Sequence, residues 1–298
     1  MTSLINCIID KELSEKTFFH PWIGEYYFSP NKNMFGKTRI LVLGQSHYCK
    51  NDEIKDNNCN KNCGAMVLPL EQDGCHLSVN TISQRKRQMG SKNGGLSCNS
   101  FTQNVIFAYA YLIENVKTTP WKKDFIRTER YVLGHQADCS NGEFSRFWNS
   151  IAYYNYLQTA YKDGGSGKYT NEYNEFDLSK GFLQDVISFL EPDIIIAWGL
   201  SAWNSHVKSA LKMNGFMLQE GGKLYKKTKD KQYYDVIEGK KYWQDIVVMS
   251  SKKTIVLIPP HPSARKMTQE AISGLSKKCS ERIKDIFKTM NPTCNISW

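Results

Sequence analysis

Two polar strings, far apart in the chain, have the residue types and the position that a ligand site needs. Residues 44–48 read GQSHY and directly follow the apolar run 40–43, and residues 261–263 read HPS and directly follow the apolar run 255–258. Each string is predicted to be a polar loop at the carboxyl end of a short buried strand, which is where ligands bind in open α/β sheets. Their histidines can donate hydrogen bonds and their serines can hold a water molecule. Together the two strings predict one active site built from both ends of the chain.

Apolar runs bounded by turn residues predict the elements that must position these strings. Four runs are typical of core strands covered on both faces, at residues 38–44, 151–157, 193–199 and 254–258. Apolar residues at helical spacing predict helices at residues 101–117, 121–133, 143–150, 179–190, 201–213 and 268–289. This alternation favours the α/β class, with a parallel sheet and helices on both of its sides.

The length of 298 residues allows one large domain or one domain with insertions. We expect a single domain over residues 1–298, with insertions at about 49–100 and 215–253. The first is irregular and rich in Asn, Gly, Ser and Cys, and the second combines short strand-like runs with many lysines. Long irregular segments of this kind are usually functional or mobile.

The formal net charge of +10 favours an acidic partner, of which nucleic acid is the commonest. A generic basic surface is the alternative. Within the first insertion, Arg85, Lys86 and Arg87 form a basic run among glycines that could clamp a DNA backbone. An ordinary solvated charge run is the alternative there.

The chain has no secretory signal at its start and no apolar run long enough to span a membrane, so we expect a cytoplasmic protein without a membrane partner. Nine cysteines are an odd number, which does not favour a disulfide framework. Cys49, Cys59, Cys63 and Cys75 cluster, and the spacing of Cys59 and Cys63 is one that zinc sites allow. Because the other spacings are irregular, we expect free thiols and no metal.

Four features, in their order along the chain, resemble the uracil-DNA glycosylase superfamily. The first motif of that family often begins Gly-Gln-Asp-Pro-Tyr and is matched by residues 44–48. Its strand with a base-reading asparagine is matched by Asn155, its Trp-Gly strand end by Trp198-Gly199, and its His-Pro-Ser motif by residues 261–263. The resemblance covers roughly residues 38–48, 150–213 and 254–290. It implies a three-layer α/β/α sandwich with a short, mostly parallel central sheet.

The resemblance also implies catalytic roles. His261 would donate a hydrogen bond to a carbonyl oxygen of the departing base, and Asn155 would read the base edge with its amide. Ser46 stands where well-known members carry a carboxylate that orients the attacking water, and a serine is a poor base. His47, or Asp52 in the following segment, could position that water instead. The structural alternatives are a loop histidine packed beside prolines and a strand asparagine that satisfies backbone groups.

Further residues of the two strings would bind the flipped nucleotide. By resemblance, Gln45 would lie against it, with His47 beside it, and Tyr48 would crowd the pyrimidine 5-position, so that uracil is accepted and thymine rejected. Ser46 and His47 depart from the family's pattern at this point, and a shift of the loop there leads to a different expectation. An enlarged pocket would instead accept a bulky 5-substituent.

The segment after the His-Pro-Ser string would contact DNA. By resemblance it enters the minor groove, where Met267 could be the wedge that replaces the flipped base. Ser263, Arg265 and Lys266 would hold phosphates. For Arg265 and Lys266 the alternative is an ordinary solvated pair.

The leading interpretation is therefore a monofunctional DNA glycosylase that acts as a monomer on uracil or a modified pyrimidine, without metal or redox cofactor. One alternative is a phage-defence glycosylase for hypermodified cytosine, such as glucosylated hydroxymethylcytosine. Another is a catalytically silent DNA-binding protein, which Ser46 favours. A nucleotide hydrolase is a weaker alternative, because the chain has no G-x-x-x-x-G-K-[ST] phosphate loop.

Overall fold

The computed structural model describes residues 5–8, 10–17, 19–44, 47–49, 101–114, 122–156, 160–162, 173–198, 218–220, 226–227, 233–237, 240–243, 246–249, 254–257, 259 and 269–290. The predicted helix 201–213 and all of the predicted insertion 49–100 except Cys49 lie outside these residues. None of the described helices is long and apolar enough to cross a membrane.

Six helices and twelve strands lie in the described part of the chain. The helices are α1 (Lys11–Lys16), α2 (Phe101–Glu114), α3 (Lys122–Leu133), α4 (Glu143–Ser150), α5 (Tyr173–Leu190) and α6 (Gln269–Met290). The strands are β1 (Trp22–Ile23), β2 (Ile40–Gly44), β3 (His47–Cys49), β4 (Ile151–Asn155), β5 (Ala160–Lys162), β6 (Ile194–Ala197), β7 (Leu218–Glu220), β8 (Lys226–Lys227), β9 (Tyr233–Ile237), β10 (Lys240–Trp243), β11 (Ile246–Met249) and β12 (Thr254–Leu257).

The main sheet has seven strands in the order β1-β4-β2-β6-β12-β11-β7. Its four central strands, β4, β2, β6 and β12, are parallel neighbours, whereas β1, β11 and β7 pair antiparallel at the two sides. The expectation of a mostly parallel sheet is thus correct only for the central four strands, and the whole sheet is mixed. Residues 250–253 alone join β11 to β12, which is too short for the crossover that parallel strands need.

Two smaller sheets accompany the main one. Strands β8, β9 and β10 form an antiparallel sheet, and β3 pairs with β5 in parallel. Strands β7 to β11 all come from segment 215–253, so this segment supplies two strands to the main sheet and three to a separate one. The α/β class is therefore observed, with a mixed sheet and helices.

Helices cover both faces of the main sheet, because alternate residues of each central strand pack into different clusters. We call one cluster the aromatic face; it joins Ile40, Val42, Tyr153 and Trp198 to helices α2, α3, α4 and α6. We call the other the aliphatic face; it joins Leu41, Leu43, Ala152, Tyr154 and Val256 to helices α1 and α5. Burial on both faces explains why these strands are apolar throughout and were predictable as runs.

Polar contacts fix the register of the central strands at their amino ends. The backbone N–H of Arg39 donates to Asp193 Oδ2 at 2.8 Å, which aligns the start of β2 with that of β6. The hydroxyl of Thr254 donates to the carbonyl of Pro192 at 2.9 Å, which aligns β12 with β6. The opposite, carboxyl ends of the same strands are consequently brought level.

Candidate active site

The carboxyl ends of three central strands meet around the last residue of β2. Gly44 lies opposite Asn155 in the register of β2 with β4, and its carbonyl accepts the N–H of Tyr156 at 3.0 Å. On the other side, the N–H of Trp198 donates to the carbonyl of Leu43 at 2.9 Å. Strand β12 follows β6, with Leu257 opposite Ile196. The carboxyl ends of β2 and β12 therefore lie at one common edge of the sheet.

Most of the predicted site residues lie outside the described part of the chain. These are Gln45, Ser46, Arg85, Lys86, Arg87, His261, Ser263, Arg265, Lys266 and Met267. The backbone of His47 and Tyr48 is described, and Asn155 is described in full. Pro259, the first of the prolines that precede His261, is buried.

Residues 44–48 were predicted as a loop, but Gly44 is the last residue of β2, and His47 and Tyr48 also lie in a strand. His47, Tyr48 and Cys49 form strand β3, in register with Ala160–Lys162 of β5. A polar string of this kind does not alternate between apolar and polar residues, so its sequence carried no signal for a strand. Strand β5 was not predicted either.

Asn155 is held in a defined position at the carboxyl edge. Its side chain is nearly buried, with 8% of the residue exposed, and the Tyr153 hydroxyl donates to Asn155 Oδ1 at 3.1 Å. Residues two apart in a strand lie on the same face, which is why these two side chains meet. The amide is a group that can both donate and accept, held beside the strand that leads to Gln45.

Gly44 makes room for this pair. A Cβ built on Gly44 would collide with Asn155 Oδ1 and with the Tyr153 hydroxyl. Glycine is therefore required here for space, because the amide and the phenol lie directly over the bare backbone of β2. The glycine of the GQSHY string is thus needed because side chains of the neighbouring strand β4 occupy the space above it.

Two aromatic rings pack against the ring of Tyr153. Its ring lies 5.2 Å from that of Trp198, edge to face, and 5.8 Å from that of Phe125. Phe125 and Trp198 also contact each other edge to face, at 6.1 Å between centroids. Such pairs have preferred geometries, so the three rings restrict one another's rotation.

A buried carboxyl group ties three helices together deeper in the aromatic face. Glu129 Oε1 accepts from the Tyr109 hydroxyl at 2.8 Å and from the Trp148 indole N–H at 2.9 Å, and Oε2 accepts from the Ala137 N–H at 3.1 Å. Glu129 is fully buried, and the rings of Tyr109 and Trp148 both pack against Phe125. The network therefore supports the ring that contacts Tyr153.

Burial raises the pKa of Glu129 to about 7, although the hydrogen bonds from Trp148, Tyr109 and Ala137 act against that rise. Sequence reasoning missed this residue. A signal was present, because Glu129 lies four residues after Phe125 and three before Val132, on the buried face of the same helix. A charged residue on the apolar face of a helix is rarely buried without partners.

Asn149 illustrates the structural alternative. It is 2% exposed, and its Oδ1 accepts the backbone N–H of Asn6 at 2.8 Å. This asparagine links the amino-terminal segment to α4 and takes no part in the carboxyl edge. Asn155 differs in lying at the end of its strand with a side-chain hydroxyl as partner.

The described residues also form a shallow groove of about 510 Å³ between the end of α2 and the segment after α3, lined by Ile113, Lys122, Gln136, Ala137, Asp138 and Cys139. No predicted site residue lines it. Within the described ranges, no three His, Cys, Asp or Glu side chains are grouped as metal ligands would be. Of the clustered cysteines, Cys59, Cys63 and Cys75 lie outside those ranges, as does the side chain of Cys49.

No protein-family model, no curated protein and no solved structure matches this chain. The geometry of the carboxyl edge is therefore the basis on which a function is proposed.

Proposed function

We propose that the protein is a DNA glycosylase that flips uracil or a modified pyrimidine out of DNA and hydrolyses its N-glycosidic bond. The observation that carries this proposal is the nearly buried amide of Asn155 at the carboxyl edge, opposite Gly44. An amide held in a defined orientation can read the edge of a flipped base by hydrogen bonds. Strands β2 and β12 both end at this edge, and in the sequence Gln45 directly follows β2 and His261 comes four residues after β12.

The arrangement of layers supports the same proposal. Helices on both faces of a sheet with four central parallel strands agree with the three-layer sandwich of the uracil-DNA glycosylase superfamily, which the motifs resemble. Ligands of such sheets bind at the carboxyl ends of parallel strands. Fold alone does not determine function, and the proposal therefore depends on the residues at this edge.

The proposed residues stabilise the charge that develops in the reaction, bind the base or hold the attacking water. The sugar becomes cationic as the bond breaks, and the base departs with negative charge on a carbonyl oxygen. His261 donates a hydrogen bond to that oxygen, and Asn155 holds the base edge. Ser46 holds the attacking water, with His47 or Asp52 as alternatives; the cationic sugar needs little nucleophilic push, so a weak base suffices.

Binding to DNA rests on positive charge. The net charge of +10 favours salt-dependent association with phosphates, for which Ser263, Arg265, Lys266 and the run 85–87 are candidates. Met267 is the proposed wedge in the duplex. Three of the four residues 259–262 are prolines, and because proline fixes its own φ angle, this sequence favours a preorganised His261.

The direct test is base release from labelled duplexes that carry uracil, thymine opposite guanine, hydroxymethylcytosine, its glucosylated form or hypoxanthine. We expect alkali-sensitive cleavage of one duplex, lost in His261→Ala and Asn155→Ala. His135→Ala is the matched control, because His135 is half exposed and bonds only Glu143 among the described side chains. Cleavage that survives in His261→Ala would contradict the proposed mechanism.

A catalytically silent DNA-binding protein is the second candidate, and Ser46 in the place of the family's carboxylate is the observation that favours it. In that case no duplex is cleaved, while all duplexes bind with an affinity that falls as salt rises. Cleavage of only the glucosylated duplex would instead identify a defence enzyme for hypermodified cytosine.

A further inference from the structure

The carboxamide of asparagine has two ends of nearly equal shape and opposite hydrogen-bonding character. Its oxygen only accepts and its nitrogen only donates, so a rotation by 180° exchanges the two without moving other atoms. A site that reads a base with an asparagine must therefore hold the amide in one orientation. In this protein the Tyr153 hydroxyl donates to Asn155 Oδ1 at 3.1 Å.

We propose that Tyr153 is a positioning residue for the reaction proposed above: its hydroxyl holds the Asn155 amide in one orientation and thereby decides which group at the pyrimidine 4-position the site accepts. This inference rests on the proposed function for its substrate, but the orientation of the amide is measurable without any activity.

The geometry around Tyr153 suits this role. Tyr153 is 4% exposed, and the rings of Trp198 and Phe125 hold its own ring on the aromatic face. The absent side chain of Gly44 leaves the phenol and the amide lying against each other over β2. The hydroxyl therefore stays at the amide rather than swinging away from it.

Hydrogen-bond chemistry then selects the orientation. A phenol donates more strongly than it accepts, because its oxygen lone pair is delocalised into the ring. The arrangement with Oδ1 towards Tyr153 is accordingly favoured over the rotated one, which would offer two N–H groups to the phenol oxygen.

This orientation has a consequence for the substrate. With Oδ1 held by Tyr153, the Nδ2 amino group lies on the side of the amide away from Tyr153. Because that group can only donate, it favours a base with an acceptor at the 4-position, such as the carbonyl of uracil, over one with an amino group, such as cytosine. Loss of the hydroxyl should remove the hydrogen bond that favours this orientation.

The experiment compares Tyr153→Phe with Tyr154→Phe. Both substitutions remove one hydroxyl from a buried tyrosine of β4, but Tyr154 belongs to the aliphatic face and makes no hydrogen bond among the described residues. The first measurement uses protein labelled with ¹⁵N-asparagine and follows the side-chain N–H₂ signals of Asn155, assigned by their loss in Asn155→Ser. We expect Tyr153→Phe to shift these signals and speed their hydrogen exchange, and Tyr154→Phe to leave them unchanged.

The second measurement is base release from matched duplexes that carry uracil or cytosine at one position. We expect Tyr153→Phe to reduce uracil release by about tenfold, in line with the loss of one hydrogen bond, and to lower the ratio of uracil to cytosine release. Tyr154→Phe should retain the rate and ratio of the wild type.

The outcomes separate this inference from the proposed function. If the wild type releases no base but the Asn155 signals change only in Tyr153→Phe, the positioning role stands and the glycosylase proposal fails. If the signals and the release ratio of Tyr153→Phe match those of Tyr154→Phe, the positioning role is overturned, whatever the activity.

Discussion

The two faces of the main sheet are packed with different chemistry. The aromatic face contains a chain of rings, Tyr109, Phe125, Trp148, Tyr153 and Trp198, together with the buried polar groups of Glu129 and Asn155. The aliphatic face is filled mainly by branched side chains, among them Leu41, Leu43, Leu183, Val186, Ile187, Leu190, Ile195 and Val256. The two faces are formed by alternate residues of the same central strands.

The difference teaches how one sheet can combine stability with precision. Aliphatic packing is non-directional and stabilises through buried area. Ring contacts and buried hydrogen bonds constrain angles as well, so the aromatic face can fix the orientation of a single side chain at its edge. We therefore expect truncations of apolar side chains on the two faces to have similar effects on folding and different effects on the proposed activity.

The largest effect is expected for Gly44→Ala. The added Cβ would collide with Asn155 Oδ1 and the Tyr153 hydroxyl, so the amide must move. A displacement of about 1 Å at a reacting centre can reduce a rate by about 100-fold, and we expect a loss of base release of that order. Overpacking should also cost about 1–3 kcal/mol in the free energy of unfolding, measured by urea denaturation.

Gly181→Ala is the matched control for that substitution. Gly181 lies in α5, and a Cβ there meets nothing within 4 Å in the part of the chain that the structure describes. Alanine should therefore stabilise the helix by about 0.5–1 kcal/mol and leave base release unchanged. Equal activities of the two variants would show that the contact at Gly44 does not matter to the site.

Phe125→Leu and Leu183→Val compare the two faces directly. Each leaves a small void in a core cluster, so each should lower the free energy of unfolding by about 1 kcal/mol. Of these two residues it is Phe125 that contacts the ring of Tyr153, so we expect its replacement, and not that of Leu183, to reduce base release by several-fold at a temperature where both variants are folded. An equal loss of activity in both variants would contradict the division of roles between the faces.

The elements of this fold were largely predictable, and the contacts between them were not. The runs at 38–44, 151–157, 193–199 and 254–258 predict β2, β4, β6 and β12, because strands buried on both faces are apolar at every position. Helix α5 begins at Tyr173, earlier than the predicted 179. The order of the strands and the antiparallel outer strands depend on pairings that no local pattern specifies.

In the candidate site, too, some features were predictable from the sequence and others were not. Asn155 was predicted as a site residue from its place in a motif, and the structure adds that it ends β4 opposite Gly44. Its contact with Tyr153 follows from strand alternation and was within reach of the sequence. The partners of Glu129 were not, since Tyr109 and Trp148 lie 20 and 19 residues away on other helices.

A pH-dependent effect on stability, without a direct effect on base release, is expected from Glu129. Burial raises its pKa from 4.5 to about 7, so between these values the folded protein holds a proton that the unfolded chain has lost. The stabilisation that this provides is complete below about pH 4.5 and disappears as the pH rises through 7. The free energy of unfolding should therefore fall with rising pH in this interval, by about 3 kcal/mol at most.

Glu129→Gln should remove that dependence. Glutamine stays neutral, but its N–H₂ group cannot accept from Ala137 as Oε2 does, so one buried N–H loses its acceptor. We expect the variant to be less stable than the wild type near pH 5 and the difference to shrink near pH 8, measured by urea denaturation at both values. A constant difference across this range would mean that Glu129 does not titrate in the folded protein.

The smallest effect is expected on the aliphatic face, from Tyr154→Phe. The Tyr154 hydroxyl is fully buried and makes no hydrogen bond with the residues that the structure describes, and burial raises its pKa well above the usual 10. A buried hydroxyl without a partner costs free energy, so its removal should leave stability unchanged or raise it by about 1 kcal/mol. On the aromatic face, by contrast, Tyr153→Phe removes a made hydrogen bond and should lower stability by about the same amount. Opposite signs for two neighbouring tyrosines in one strand would be the most direct measure of how the two faces differ, and equal losses would mean that Tyr154 has a partner that stabilises it.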